Sequence, residues 1–195
     1  MKPTMILLAG PNGAGKSTLY ETRVAPSFAG PFINADIIQR DELRDASPEA
    51  SYEAAKIATT RRAKHLEDGI DFVTETVFSH QSKLELVNVA RACGFTVIIM
   101  HVGVDSPELS VGRVSTRIEE GGHSVPIEKI RARYDRGGPL IRAAIQKADR
   151  GMVFDNSELN RPPNHCLTFS AGRLIYALPH LPLWIRSTYE ADLSI

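Results

Sequence analysis

An eight-residue segment near the start of the chain has the spacing of a phosphate-binding loop. Residues 10–17 read GPNGAGKS and match GxxxxGK followed by Ser or Thr, directly between a predicted strand and a predicted helix. Glycines let the backbone curl so that N–H groups point at phosphate oxygens, lysine adds a cation, and a hydroxyl offers a ligand to Mg²⁺. The alternative is an accidental glycine-rich turn. We predict that a nucleoside triphosphate binds to Gly10, Pro11, Asn12, Gly13, Ala14, Gly15, Lys16, Ser17 and Thr18, with Lys16 also catalytic and Ser17 also a metal ligand.

Two carboxylates follow predicted strands, at the edge where parallel sheets bind their ligands. Phosphoryl transfer to an alcohol needs a carboxylate that takes the hydroxyl proton, and we predict that Asp36 is this general base. The alternative is that Asp36 caps the helix beginning near Ile37. Glu75 is costly to bury unless it meets a cation, a water on Mg²⁺ or a substrate donor, so we predict that it belongs to the metal and substrate site. Its alternative is an outward-facing strand position.

Arginines are concentrated in two segments that flank a glycine pair. Residues 113–117 and 131–136 have helical spacing, and Gly121, Gly122 and His123 lie between them as a hinge. We predict a lid over residues 106–137 that closes on the triphosphate, because guanidinium groups stabilise the charge on a transferring phosphoryl group. The alternative is a solvated helical face with ion pairs to nearby glutamates. Within the lid, Arg117 and Arg133 are the predicted catalytic residues, and Arg136 is a predicted nucleotide contact.

Apolar segments of strand length alternate with longer segments of helical period, which predicts repeated βα units around a parallel sheet. A helix is predicted from Ser47 to Gly69. A hairpin over residues 164–179 is expected at the sheet edge as an appendage. The predicted fold is α/β with three layers and five parallel strands, in a single domain of residues 1–195. The predicted strands are Thr4–Ala9, Phe32–Ala35, Phe72–Thr76, Phe95–Val102 and Met152–Phe154.

The composition is that of an ordinary globular protein, with 43% hydrophobic and 24% charged residues among 195. The formal net charge is zero, so no global basic field favours nucleic acid or an anionic membrane. No apolar segment is long enough for a membrane span. Cys93 and Cys166 have neither zinc-site nor disulfide-framework spacing, and we expect a protein of the reducing cytoplasm.

Four elements, in this order, resemble the zeta-toxin family of P-loop kinases. They are the phosphate loop, FINAD at residues 32–36, TET at residues 74–76, and GGHSVP with IRARYDR within residues 121–136. The resemblance extends from the start of the chain to about residue 156. It implies a kinase fold, ATP with Mg²⁺ as donor, Asp36 as general base, Glu75 in the site, and lid arginines at Arg117 and Arg133.

Characterised zeta toxins phosphorylate a hydroxyl of UDP-N-acetylglucosamine and are neutralised by a small antitoxin, so the resemblance implies this acceptor and this kind of partner. The predicted acceptor contacts in this chain are Arg40, Ser79 and Lys83, and residues 155–157 either contact adenine or form a turn. Three functions remain open at this stage. They are a small-molecule kinase, an ATP-binding switch without an acceptor, and a polynucleotide-end kinase, which the zero net charge disfavours.

Overall fold

The chain folds around a single sheet within the described residues. The computed structural model describes residues 2–119 and 125–194, apart from the side chains of residues 117–119. Its strand order is β2-β3-β1-β4-β5-β6-β7, with β1 to β5 parallel and β6 and β7 antiparallel. The five predicted parallel strands are thus confirmed. The strands are β1 Thr4–Ala9, β2 Phe32–Ile33, β3 Phe72–Thr76, β4 Thr96–Gly103, β5 Arg150–Asp155, β6 Asn164–Ser170 and β7 Arg173–Ala177.

The predicted hairpin is part of this sheet, which corrects a sheet of five strands to one of seven. Strand β6 pairs antiparallel with β5 along its length, from Arg150 opposite Ser170 to Asp155 opposite Asn164. The hydrogen bonds of the last parallel strand are thereby satisfied, and the exposed edge moves to β7. An apolar hairpin beside an open strand edge gains more from pairing than from lying apart.

Helices fill the connections between the strands. Two short helices each continue into a π-helical turn, at Tyr20–Val24 after α1 and at Ile38–Leu43 after α2. The helices are α1 Lys16–Leu19, α2 Ala35–Ile37, α3 Pro48–Asp68, α4 Ser82–Ala92, α5 Pro107–Glu119, α6 Ile127–Lys147, α7 Leu183–Thr188 and α8 Glu190–Leu193. None of these helices is long and apolar enough to span a membrane.

Local sequence signals explain where several elements begin and end. The Ser47 hydroxyl accepts the backbone N–H of Ala50 at the start of α3, and Gly69 closes that helix in the left-handed region at φ 65°. Strand β2 stops at Ile33, two residues earlier than predicted, because Asn34 caps α2 and turns the chain. The predicted lid boundary falls inside α6, which continues through Pro139 to Lys147.

The two faces of the sheet carry separate apolar clusters. Met5, Leu7 and Ile99 are fully buried against side chains of α3, α4, α6 and α7 on one face. Leu8 and Val102 lie on the other face and pack against α1 and its π-helical turn. Strand β1 is buried on both faces, as expected for the centre of a parallel sheet. The loops that follow β1 to β5 therefore meet at one edge, where the site is formed.

Candidate active site

The phosphate loop occupies the bend between β1 and α1, and its shape depends on glycine. Gly10 and Gly15 have φ of 156° and 88°, in the region that side chains avoid. A Cβ atom at Gly10 would collide with the Val102 carbonyl oxygen, and one at Gly15 would collide with the Asn156 amide. Asn156 also donates to the Ala14 carbonyl at 2.8 Å. The loop is therefore held against the ends of β4 and β5.

The Lys16 side chain is 5% exposed and lies under this loop. Its ammonium donates to the carbonyl oxygens of Gly10 at 3.1 Å and Pro11 at 3.0 Å. It also lies 3.6 Å from Glu75 Oε1. An ammonium has three donors, and these contacts fix where its charge lies. The predicted phosphate cation is thus positioned before any ligand binds.

Glu75 joins three segments of the chain at the end of β3. Its Oε2 atom accepts from Ser17 Oγ at 3.3 Å and from Asn34 Nδ2 at 3.0 Å, while Oε1 faces Lys16. The side chain is 15% exposed, so the outward-facing alternative is wrong. A carboxylate and a hydroxyl in contact are the hard oxygen donors that Mg²⁺ takes beside phosphate oxygens. Ser17 and Glu75 therefore fit an Mg²⁺ ion.

Asn34 has a role that the sequence analysis missed. Its Oδ1 atom accepts the backbone N–H groups of Asp36 at 2.8 Å and Ile37 at 3.4 Å, which makes it the cap of α2. The capping alternative for Asp36 is therefore wrong. The Asp36 side chain is exposed and forms no hydrogen bond or ion pair within the described residues. An asparagine between a strand and a helix is a cap signal, and it could have been recognised at position 34.

The lid arginines approach the loop from α5 and α6. Arg133 Nη1 donates to Asn12 Oδ1 at 3.1 Å, so α6 contacts the tip of the phosphate loop. Arg113, which we did not predict individually, makes long contacts to the carbonyl oxygens of Gly13 at 3.5 Å and Ser157 at 3.4 Å. Burial lowers the pKa of Arg113. Arg136 is exposed on α6.

Part of the predicted lid lies outside the described residues. The backbone of Arg117 belongs to α5, but its side chain is not described, and the hinge at residues 121–123 is not described either. The structure therefore brings Arg133 to the loop and leaves the placement of Arg117 a prediction. Outside that gap, Arg131 lies 3.6 Å from Glu108 in an exposed ion pair between α6 and α5.

We use two names for parts of this site. The donor side, where the nucleotide is predicted to bind, is the phosphate loop with Glu75 and Asn156. The acceptor side, where the alcohol is predicted to bind, is Asp36 with the ends of α3 and α4. Arg40 is 72% exposed and forms a bidentate pair with Asp41, which was not among the predicted acceptor contacts. Ser79 and Lys83 are half-buried after β3. Arg62 of α3, which we missed, lies 3.5 Å from Thr74 Oγ1. Arg62 lies within a helix, and nothing in the sequence around it indicates this contact with β3.

The predicted adenine segment makes structural contacts at all three of its positions. Asp155 Oδ1 accepts from Ser157 Oγ and from Trp184 Nε1, both at 2.7 Å, and Asn156 holds the loop.

A cleft of about 320 Å³ lies beside residues 155–157, between Arg23 and Arg161. A larger cavity, of about 360 Å³, is lined mainly by apolar residues such as Met100 and Phe154 and lies away from the loop lysine.

His101 lies beneath the donor side, on β4 next to Ala9 of β1. Its Nδ1 atom lies 2.7 Å from the Tyr189 hydroxyl, and its ring meets Trp184 edge to face. Burial, with a smaller contribution from the Lys16 charge, lowers the His101 pKa to about 3. The ring is therefore neutral at pH 7 and joins the sheet to α7.

Comparisons with known proteins match this chain to a family model and to a relative. A family model described as Zeta toxin matches residues 1–161. An uncharacterized protein of Haemophilus influenzae is 27% identical over 139 residues, which cover 69% of this chain and 94% of that protein.

Two solved structures show the same fold at low identity. The AvrRxo1-ORF1:ORF2 complex with ATP superposes with a TM-score of 0.68 and 15% identity, over 99% of this chain and 64% of that chain. The PezAT chromosomal toxin-antitoxin system of Streptococcus pneumoniae superposes with a TM-score of 0.60 and 16% identity, over 100% of this chain and 80% of that chain. The chain thus spans less than two thirds of the first structure's length.

Proposed function

Since this chain belongs to the zeta toxin family, we propose that it is a phosphotransferase that moves the γ-phosphate of ATP to the hydroxyl of a small molecule. The observation that carries the proposal is the contact of Asn34 with both Glu75 and the turn that bears Asp36. This contact links the donor side to the Asp36 carboxylate, which forms no hydrogen bond or ion pair within the described residues. A relative of this fold was crystallised with ATP, which supports ATP as the donor.

The donor side binds and orients the triphosphate. Backbone N–H groups of the loop and the start of α1 face the phosphate oxygens, and Lys16 adds positive charge beside them. Ser17 and Glu75 would hold Mg²⁺, which neutralises charge on the β- and γ-phosphates when bound. Arg133 is tied to Asn12 at the loop tip, so closure of α5 and α6 would bring guanidinium charge to the phosphoryl group and exclude water.

Asp36 acts on the acceptor. Its carboxylate takes the hydroxyl proton as the alcohol oxygen forms a bond to the γ-phosphorus, and the bond from that phosphorus to the β,γ-bridging oxygen breaks to release ADP. A base needs lone pairs that are not already engaged. Because Asn34 caps α2, the Asp36 carboxylate does not accept the capping N–H groups and keeps its lone pairs for the hydroxyl proton.

The decisive experiment follows labelled γ-phosphate from ATP into alcohols, nucleotide sugars and a cell extract. Asp36→Asn should keep ATP affinity and lose about 10²- to 10⁴-fold of transfer, because a general base contributes about that much. Asp41→Asn is the matched control, since Asp41 is an exposed aspartate that pairs with Arg40. Equal transfer by Asp36→Asn would contradict the base assignment. ATP binding without any labelled product would favour a binding module.

The finer identity of the acceptor is part of the same proposal. UDP-N-acetylglucosamine is the first acceptor to test, because the family resemblance implies it. The toxin-antitoxin description of PezAT supports a small antitoxin as a partner. Expression in bacterial cytoplasm should then slow growth for the unaltered chain and not for Asp36→Asn, and co-expression of the antitoxin should restore growth.

A further inference from the structure

The carboxylate at the end of β5 joins parts of the chain that are far apart in sequence. Asp155 Oδ1 accepts the indole N–H of Trp184 in α7 and the hydroxyl of Ser157, both at 2.7 Å. The Ser157 hydroxyl oxygen in turn accepts the backbone N–H of Asp105 at 2.9 Å, two residues before α5 begins. Asp155 therefore connects α7 to the start of the predicted lid.

The next residue connects the same place to the phosphate loop. Asn156 donates its backbone N–H to the Gly103 carbonyl at 2.9 Å and its side-chain amide to the Ala14 carbonyl at 2.8 Å. Two consecutive residues thus contact α7 on one side and the phosphate loop on the other. A displacement of Asp155 would also displace Asn156, because the two residues share a planar peptide unit.

Helices α7 and α8 are themselves anchored on the face of the sheet opposite α1. Asp192 of α8 accepts from the Arg142 guanidinium at 2.6 and 3.1 Å and from Gln146 at 3.1 Å, and both donors belong to α6. Tyr189 is fully buried, and its hydroxyl lies 2.7 Å from His101 Nδ1. The indole that binds the β5 carboxylate therefore belongs to a firmly held segment.

Packing alone does not account for the indole N–H of Trp184. The ring lies on the backbone at the end of β4, since a Cβ atom at Gly103 would collide with it. A phenylalanine ring would keep this apolar contact, whereas the N–H is what reaches the Asp155 carboxylate. A hydrogen bond to a charged acceptor is shorter and stronger than one between neutral groups. The indole therefore fixes Asp155 at the point where the phosphate loop and the lid are both attached.

We propose that Trp184 is a positioning residue for the nucleotide and acts through Asp155 on the phosphate loop and on the start of the lid. This inference rests on the proposed function, because it gives α7 a part in the binding of ATP. Residues 183–188 lie beyond the 1–161 range of the family match, so that match does not include this contact. Loss of the indole N–H weakens nucleotide binding without removing any group of the phosphate loop, because the loop is then less well preorganised.

A binding experiment tests this role without any transfer reaction. Titration with Mg²⁺ and a fluorescent ATP analogue measures the dissociation constant. Trp184→Phe should bind about three- to tenfold more weakly, because a hydrogen bond to a charged group is worth about tenfold or more and part of that is lost from binding. Tyr189→Phe is the matched control, since it removes one hydrogen bond of the same segment at a point away from Asp155. It should lower the free energy of unfolding and leave the nucleotide affinity unchanged.

A second set of variants tests the route through Asp155. Asp155→Leu should weaken nucleotide binding at least as much as Trp184→Phe, because it removes the acceptor of both the indole and the Ser157 hydroxyl. Adding Trp184→Phe to Asp155→Leu should cause no further loss, since residues that act through one contact are not additive. Asp155→Asn, which keeps an acceptor oxygen, should retain most of the affinity. Additive losses in the double variant would overturn the route.

Steady-state kinetics distinguish a failure of this inference from a failure of the proposed function. Trp184→Phe should raise the KM for ATP and leave the KM for the acceptor unchanged, whereas a general loss of folded protein would lower kcat alone. Unchanged nucleotide affinity in Trp184→Phe, or an equal loss in Tyr189→Phe, would overturn the inference and leave the kinase proposal intact. A selective loss of nucleotide affinity in Trp184→Phe, in a chain that phosphorylates no alcohol, would sustain the inference and refute the kinase.

Discussion

The donor side and the acceptor side differ in how fully the protein satisfies its own polar groups. On the donor side, the Glu75 carboxylate is contacted by Lys16 and Ser17, and also by Asn34 from the neighbouring turn. On the acceptor side, the Asp36 carboxylate and the Lys83 ammonium have no side-chain partner within the described residues. A site for an invariant ligand can be assembled in advance, because the triphosphate is the same in every reaction. A site for a particular alcohol must leave its groups available for that alcohol.

The largest expected effect comes from the centre of the donor side. Lys16→Met should lose at least about a hundredfold of transfer and weaken ATP binding, since it removes the cation beside the transferring group. Lys56→Met is the control, because Lys56 is an exposed lysine paired with Glu53. Labelled transfer and equilibrium binding of a fluorescent ATP analogue measure the two effects. Retained transfer would show that the preassembled donor side is not required.

Acid should weaken the sheet beneath the donor side. The folded protein holds the His101 pKa at about 3, while the unfolded chain takes the proton near 6.5. The free energy of unfolding therefore has its full value with respect to His101 above pH 6.5, and it decreases as the pH falls from 6.5 towards 3. Between pH 7 and pH 5 we expect a loss of about 2 kcal/mol.

Urea unfolding followed by circular dichroism at both pH values measures this loss. His101→Gln, whose side chain is neutral throughout, should show a smaller decline between the same two pH values. An identical decline in the two proteins would mean that other groups cause the acid sensitivity.

Glu75→Gln tests whether the carboxylate serves the metal. The amide keeps the shape but removes the charge beside Lys16 and Ser17. Half-maximal transfer should then need about tenfold more Mg²⁺, as is common when a group that supports a metal ion is changed. Glu85→Gln, at an exposed position of α4, should leave the Mg²⁺ requirement unchanged. A normal requirement in Glu75→Gln would restrict Glu75 to a structural role.

The smallest effect is expected at Arg40. The exposed Arg40 guanidinium pairs with its neighbour Asp41, so we expect little contact with an acceptor, and Arg40→Gln should change kcat/KM less than about twofold. Steady-state kinetics with the best acceptor found measures this. A large increase in KM would restore Arg40 to the acceptor contacts and extend the acceptor side to α2.

Residues that are close in sequence were the most predictable. The phosphate loop is a contiguous pattern, and the five parallel strands follow from apolar segments of strand length. Asp36 was assigned two alternative roles because Asp and Asn both cap helices, and only the observed Asn34 contacts separate them. Arg62 was missed because twelve residues separate it from Thr74 and nothing local marks the contact. The pairing of β6 with β5 likewise depends on an open strand edge that a sequence does not display.

The bond between Asn156 and the Ala14 carbonyl joins two residues 142 positions apart. The motif that is most easily recognised in this sequence is therefore among the last parts of the chain to reach its working shape. During synthesis the loop emerges early, but β5 and Asn156 follow only after most of the chain has left the ribosome. Nascent fragments that end before residue 156 should lack this clamp, so competence to hold a nucleotide is a property of the finished sheet and not of the motif by itself.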